Sequence, residues 1–452
     1  MRKMLLHVLT ITGNTIMKSF TALFLVLVGL PSSSLTQQVR GLTVEEAIKI
    51  GLEKSKAIHA SMMKVQYADS RSSEISALRW PTLRFTGSYT RLSDIPPAEV
   101  TTPFGTLRLF PTLLDNYNLR LTLQQPVFTG FRLDRNADIA DYTAQATQKD
   151  FERDQSDLVF NVKSAYWNLA KAIELLKVVD ENVDQIRAHV KDAENLQKQG
   201  LATTNDVLKV QVQLSEAVLR QIDMKNNVQL AKVVLNSTLG LPLETDFSLT
   251  SPIRHEPRQF AELSSLAQQA LEKRPEVQSM DLRVKAGDAA VSMAQSSWWP
   301  QIYLVGNYLT ARPNQRIFPY QDIFKDTWDV GVSVTFDIWN WGNTIHQTDQ
   351  AKAQLAQTQD SYAQLRDAIV LDVTRNYLNL MRAKERIGVA EQGLKQAEEN
   401  YKVTSLRFKQ GLGTNSDLLD AEVALLQAKT NYTQSLVDFG LAEAALERAI
   451  GE

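Results

Sequence analysis

Lys198-Gln199-Gly200-Leu201-Ala202-Thr203-Thr204-Asn205-Asp206-Val207-Leu208 returns later in the chain as Lys409-Gln410-Gly411-Leu412-Gly413-Thr414-Asn415-Ser416-Asp417-Leu418-Leu419. A second pair of stretches keeps the same order. Leu78-Arg79-Trp80-Pro81-Thr82-Leu83-Arg84-Phe85-Thr86-Gly87-Ser88-Tyr89 matches Ser297-Trp298-Trp299-Pro300-Gln301-Ile302-Tyr303-Leu304-Val305-Gly306-Asn307-Tyr308 position for position. Two tandem copies of one unit account for both matches. The copies close on related ends, Leu239-Gly240 and Ile450-Gly451. These marks divide the chain into a first repeat, 37–241, a proline-containing linker, 242–261, and a second repeat, 262–452.

Within each copy the expected order is a helix, two strands and two long helices. No proline falls between Pro126 and Pro242, or after Pro319, so nothing in those stretches interrupts a helix by lacking an N–H. Apolar residues there follow alternating steps of three and four, through Val162, Ala165, Leu169, Ala172, Leu176, Val179, Val183 and Ile186, and again through Val373, Leu380, Ala383, Ile387 and Leu394. A period near 3.5 held over several heptads means coiled-coil packing. The spacing predicts helices over about 132–199, 204–240, 343–410 and 415–451. The first of them would be ~100 Å long at 1.5 Å per residue.

The predicted strands cover about 80–92, 116–127, 299–311 and 326–338. Leu83, Phe85, Gly87 and Tyr89 alternate with polar residues, as do Tyr117, Leu119, Leu121 and Leu123. Val330, Val332 and Val334 continue the theme in the second copy. Strands of this length, apolar on one side and edged with Trp and Tyr, fit a membrane barrel, although a soluble sandwich uses similar strands. Long helices between the strands of a secreted chain turn the reading toward the barrel. Four strands cannot close one, since the smallest membrane barrels use about eight and an open edge in lipid leaves backbone groups unpaired. Three chains would supply about twelve strands, closed by threefold symmetry around an open lumen.

Composition narrows the classes further. With 49 basic against 51 acidic residues, the chain has no positive excess to hold a nucleic-acid backbone. The absence of cysteine excludes a disulfide scaffold, a thiol nucleophile and a Cys-ligated metal. Lys18, the apolar run Phe20 to Leu30 and Pro31-Ser32-Ser33-Ser34 read as a secretory signal over 1–36, with Met17 as an alternative start and the mature chain opening near Leu35 to Gln38. No later apolar stretch reaches the length of a transmembrane helix.

The combination resembles the TolC family of outer-membrane efflux proteins. Its marks are Leu42-Thr43-Val44-Glu45-Glu46-Ala47-Ile48, the Trp-Pro entry to the first strand of each copy, Gln125-Pro126-Val127-Phe128-Thr129-Gly130, and the doubled Gly-Leu-x-Thr-x-x-Asp turn. The resemblance implies a homotrimer whose barrel stands among outer-membrane lipid and whose helices form a periplasmic tunnel. It also implies docking to a periplasmic adaptor (membrane fusion) protein and an inner-membrane transporter. The expected function is the exit duct of a tripartite efflux pump for drugs or other small molecules. Type I protein secretion is the alternative within the class, and a secreted coiled-coil scaffold or adhesin stalk the alternative outside it.

By the same resemblance Gly200, Leu201, Gly411 and Leu412 fall where the adaptor docks, and Asp417 and Asp420 where the family carries pore-constricting acidic rings. Local chemistry offers a second reading for several of them. Thr203 with Asp206, and Thr414 with Asp417, have capping-box spacing, and the two glycines suit helix C-termini. Asp420 lies one turn into its helix, where no cap needs it, and its counterpart in the first copy is Lys209. The tyrosine and arginine that hold TolC itself closed fall here on Phe408 and Gly413, so that closing mechanism does not carry over. No enzyme, cofactor or metal is expected. His59, His189, His255 and His346 are scattered, and neither a phosphate loop nor a nucleophile elbow occurs. Charge runs such as Lys191-Asp192-Ala193-Glu194 read as solvated helix faces.

Overall fold

A computed structural model of the chain describes residues 40–96, 99–108, 112–252 and 260–452. The expected leader, 1–36, and residues 253–259 of the expected linker lie outside the described residues. The first repeat contains β1 (Arg40–Leu42), α1 (Val44–Lys54), α2 (Lys56–Ala77), β2 (Thr82–Arg91), β3 (Glu99–Thr102), β4 (Gly105–Arg108), β5 (Asp115–Phe128), α3 (Arg132–Lys198) and α4 (Thr204–Leu239). After β6 (Phe247–Leu249), the second contains α5 (Leu263–Lys273), α6 (Pro275–Gln295), β7 (Gln301–Arg312), β8 (Lys325–Thr335), α7 (Asn343–Lys409) and α8 (Asn415–Ile450). The small hairpin β3–β4 and the pairing of β1 with β6 were not expected from the sequence.

Each repeat opens with two helices in place of the single helix expected. Pro275 explains the second break, because it has no N–H to give and pushes Arg274 out of the helical region. In the first repeat Ser55 makes the break, its hydroxyl accepting from the Ile58 amide at 3.4 Å. The returning helix of each repeat ends against its break on a left-handed glycine, Gly240 or Gly451. A Cβ on Gly240 would stand 2.6 Å from the Lys54 carbonyl oxygen, so glycine is required there for approach as well as for φ. Thus α3 packs along α4 and α2, and α7 along α8 and α6.

Three apolar clusters hold the helices. One packs Val44, Val162, Tyr166, Leu169, Leu235 and Leu239, and its equivalent in the second repeat includes Leu266, Val373, Leu380, Leu446 and Ile450. The third, around Val183, Ile186, Val207 and Val210, lies near the end of the first long hairpin. Tyr166 is fully buried; its hydroxyl donates to the Leu42 carbonyl at 2.8 Å and accepts from the Ser251 amide at 3.0 Å, tying the start and end of the first repeat to α3.

The antiparallel sheet has the order β2-β5-β7-β8. Its register places Leu83 opposite Leu123, Phe85 opposite Leu121, Leu121 opposite Tyr308, and Tyr308 opposite Trp328. The result is one continuous apolar face that remains exposed across all four strands. Arg84, Thr122, Asn307 and Asp329 align on the other face. There Thr122 donates to Asn307 at 2.9 Å, and Asn307 donates to Asp329 at 2.9 Å.

At the α5–α6 break, the nearly buried Arg274 bonds Glu276 at 2.9 Å, Asp372 at 3.1 Å and the Ala449 carbonyl at 3.4 Å. Burial opposes its charge, but the two carboxylates outweigh that and raise the guanidinium above its ordinary value. Burial likewise works against the charges of Glu276 and Asp372, and Arg274 still holds both below the usual carboxylate range. Arg274→Ala should therefore lose up to about 3–5 kcal/mol, because it strands the largely buried Glu276, while Asp372 keeps Arg375 at 2.7 Å. Urea unfolding in detergent measures this. Since the folded carboxyls titrate below their unfolded values, the wild-type contribution is complete above about pH 4 and disappears as pH falls through the folded values.

Candidate functional site at the helical tip

The doubled turn joins α3 to α4 and α7 to α8, and the two turns have the same geometry. Gly200 and Gly411 adopt φ of 77° and 71°. The Gly200 amide donates to the Gln197 carbonyl at 2.9 Å and the Leu201 amide to the Leu196 carbonyl at 2.9 Å. In the second repeat Gly411 donates to Phe408 at 2.9 Å and Leu412 to Arg407 at 2.8 Å. These are Schellman closures, and the positive φ is what demands glycine, since open space surrounds both positions. In such a motif the residue after the glycine commonly packs back on its helix. Leu201 and Leu412 do not: they are 69% and 68% exposed. Arg407, at the position Leu412 would cover, offers no apolar partner.

Both return helices start with complete capping boxes. The Thr203 amide and hydroxyl donate to Asp206 at 3.0 and 2.7 Å, and the Asp206 amide donates back to the Thr203 hydroxyl at 3.2 Å. The Thr414 amide donates to Asp417 at 3.2 Å, and the Asp417 amide donates back to the Thr414 hydroxyl at 3.1 Å. These side-chain and backbone bonds hold the Asp206 and Asp417 carboxyls below the usual range. Asp417 is therefore a cap within the protomer, whatever else it faces. Asp420 is exposed and makes no hydrogen bond or ion pair with any described residue. Its counterpart Lys209 is also exposed and adds to the depression of Asp206.

Phe408 turns inward and is 4% exposed, while a Cβ on Gly413 would stand 3.2 Å from the Phe408 amide nitrogen. Phe408 packs edge-on against His189, whose Nδ1 lies 3.2 Å from Glu422 Oε2. Sequence reasoning set His189 aside with the scattered histidines and did not single out Glu422. The available signal was position: His189 falls in the apolar stripe between Ile186 and Ala193, and Glu422 in that between Leu418 and Leu425. Among the described residues no cluster of His, Asp and Glu suits a metal ion.

The sequence pattern of the family described as "Outer membrane efflux protein" matches residues 47–241 and again residues 266–452. The chain belongs to that family. It is similar to Toxin and drug export protein A of Aggregatibacter actinomycetemcomitans, at 23% identity over 68% of this chain and 67% of that protein. Outer membrane protein TolC of Vibrio cholerae is 24% identical over 70% of this chain and 72% of its own length. The crystal structure of outer membrane protein VceC from Vibrio cholerae shares the fold, with a TM-score of 0.77, 18% identity, and coverage of 90% of this chain and 96% of that one. A coiled-coil stalk, which has no use for paired amphipathic strands, is thereby set aside.

Proposed function

We propose that three copies of this chain form an outer-membrane exit duct, with twelve strands closing a barrel and the long helices forming a periplasmic tunnel. The observation that carries this reading is the sheet: an exposed apolar face on four strands whose outer edges, β2 and β8, have no partner among the described residues. Aromatic residues flank the apolar band at both ends, with Trp80, Trp299 and Trp339 toward the helices and Tyr89, Tyr308 and Trp328 among the strands. Such girdles belong at the two lipid interfaces of a membrane barrel. The polar face then lines the lumen. The reading requires no catalytic chemistry and no cofactor.

The names of the relatives support export as the task. Drugs or other small molecules are the first cargo, delivered by an inner-membrane transporter through a periplasmic adaptor. Export of a protein toxin is the second reading, favoured by the relative named for toxin and drug export. The exposed Leu201 and Leu412, repeated at the far tip, form the docking surface for the adaptor. The double variant Leu201→Asp/Leu412→Asp should abolish efflux in a drug-susceptibility assay while the trimer assembles at normal abundance. Wild-type resistance at normal abundance would remove the tip leucines from docking.

Asp417 and Asp420 form the acidic constriction in this reading, and Asp420 bears most of the effect because Asp417 already serves its cap. Carboxylates around a narrow axis favour cations. In planar bilayers, Asp420→Ala should weaken cation preference and block by a trivalent ion more than Asp417→Ala does. Unchanged preference and block in both variants would leave Asp420 a surface charge.

A further inference from the structure

Where the sheet meets the helices, α3, α6 and α7 border a hollow of about 730 Å³ with a single charged group in its wall, Arg132. Asn136 of α3 and Gln347, Gln350 and Gln354 of α7 converge on the same space. The side chains of these four amides make no hydrogen bond with a described residue. Arg132 reaches one partner, the Tyr303 hydroxyl at 3.5 Å, and its Nε is buried with none. No carboxylate lines the hollow among the described residues. The next acids along α3, Asp134 and Asp138, are taken by Arg79 at 3.6 Å and Arg135 at 3.0 Å.

Two observations fix the side to which the hollow opens. Tyr303 lies in β7 four residues before Asn307, hence on the polar face of the sheet. On α7, Leu355 lies against Gly287 of α6, where a Cβ would stand 3.0 Å from its Cδ1. At 3.6 residues per turn, Gln347, Gln350 and Gln354 flank that contact on one side, and Ile345, Asp349 and Lys352 on the other. The second set borders a groove with Trp298 and Trp299, the tryptophans at the lipid interface in the barrel reading. Arg132 and the amides therefore look into the duct, and Lys352 looks away from it. Along the same inner face, Arg84 and Arg120 form no ion pair with a described residue, while Asp329 is taken by Arg316 at 2.6 Å.

The donors suit one kind of group. A guanidinium presents a planar fork that matches a carboxylate, and each neighbouring amide adds two N–H donors without adding charge. Ala290 and Met293 supply an apolar floor beside them for the body of an organic molecule. We propose that this hollow, repeated three times around the junction of barrel and tunnel, is a transit site for organic carboxylates, with Arg132 as the anchor and Gln347, Gln350 and Gln354 as auxiliary donors. The inference rests on the duct reading and deepens it by naming a class of cargo. An open, solvated site of this kind binds weakly enough to release what it holds, as conduction requires.

The test is equilibrium binding of carboxyfluorescein to the detergent-purified protein, followed by fluorescence anisotropy, with rhodamine 6G as a cation of similar size. Ultracentrifugation reports assembly, and pore formation in planar bilayers reports the duct. Wild type should bind the anionic dye more tightly than the cationic one. Arg132→Gln should weaken binding of carboxyfluorescein at least about tenfold, the scale of one hydrogen bond to a charged group. Gln350→Glu, at an exposed position that puts no burden on folding, should weaken it as much by placing a like charge in the hollow. Lys352→Gln removes a positive charge from the outer side of the same helix and should change nothing. Equal affinity of assembled wild type for both dyes, or equal losses in Arg132→Gln and Lys352→Gln, would overturn the site and leave the duct standing. A wild-type protein that neither trimerises nor forms pores would overturn the duct, and the site with it.

Discussion

The edges of β2 and β8, unpaired among the described residues on a sheet with a continuous apolar band on one face, constrain everything else in this protein. Lipid satisfies the face but offers nothing to backbone N–H and C=O groups, each of which costs several kcal/mol when left bare in hydrocarbon. Only neighbouring strands can supply the missing bonds, and in the proposed trimer copies of the same chain under closed symmetry supply them without leaving an end. Once the edges are closed, the polar face carrying Arg84, Thr122, Asn307 and Asp329 surrounds an interior. The helices α3 and α7, each ~100 Å long, then continue that wall away from the membrane.

Duplication explains the regularity of the helical part, and departures from it mark where the copies do different work. Both repeats keep the Schellman closure, the capping box and the left-handed glycine packed into the break of the opening helix. They differ where the first copy has Lys209 and the second Asp420, and where Ser55 serves as a simple cap but its counterpart Arg274 gathers Glu276, Asp372 and a carbonyl. At the tip only the second repeat places an aromatic, Phe408, against the buried His189. The two tips are thus alike in backbone and different in side chains.

Much of this architecture is legible in the residues. The four long helices and the four strands of the large sheet lie within a few positions of the sequence-based bounds, because heptad spacing, proline-free stretches and period-2 alternation are local signals. The capping boxes at Thr203 and Thr414 were equally plain. The split of the opening helices was partly visible in Pro275, but Ser55 looks like any other helical serine until the carbonyl of Lys54 is seen packed against Gly240. The β3–β4 hairpin has no strong alternation to announce it. His189 and Glu422 lie in sequence 233 residues apart, and only the antiparallel register of α3 and α8 brings them together. Pairings set by tertiary register leave just a polar residue in an apolar stripe as their trace.

The barrel claim is tested most directly at the strand edges, and the absence of native cysteine makes the test clean. One cysteine at Arg84, Thr86 or Ser88 on β2 would be combined with one at Thr327, Asp329 or Gly331 on β8, oxidised in the membrane, and resolved on a denaturing gel. The account predicts that at least one combination gives linked dimer and trimer, and no larger species, while each single-cysteine chain gives no trimer. Every combination remaining monomeric, or a ladder running past the trimer, would contradict it.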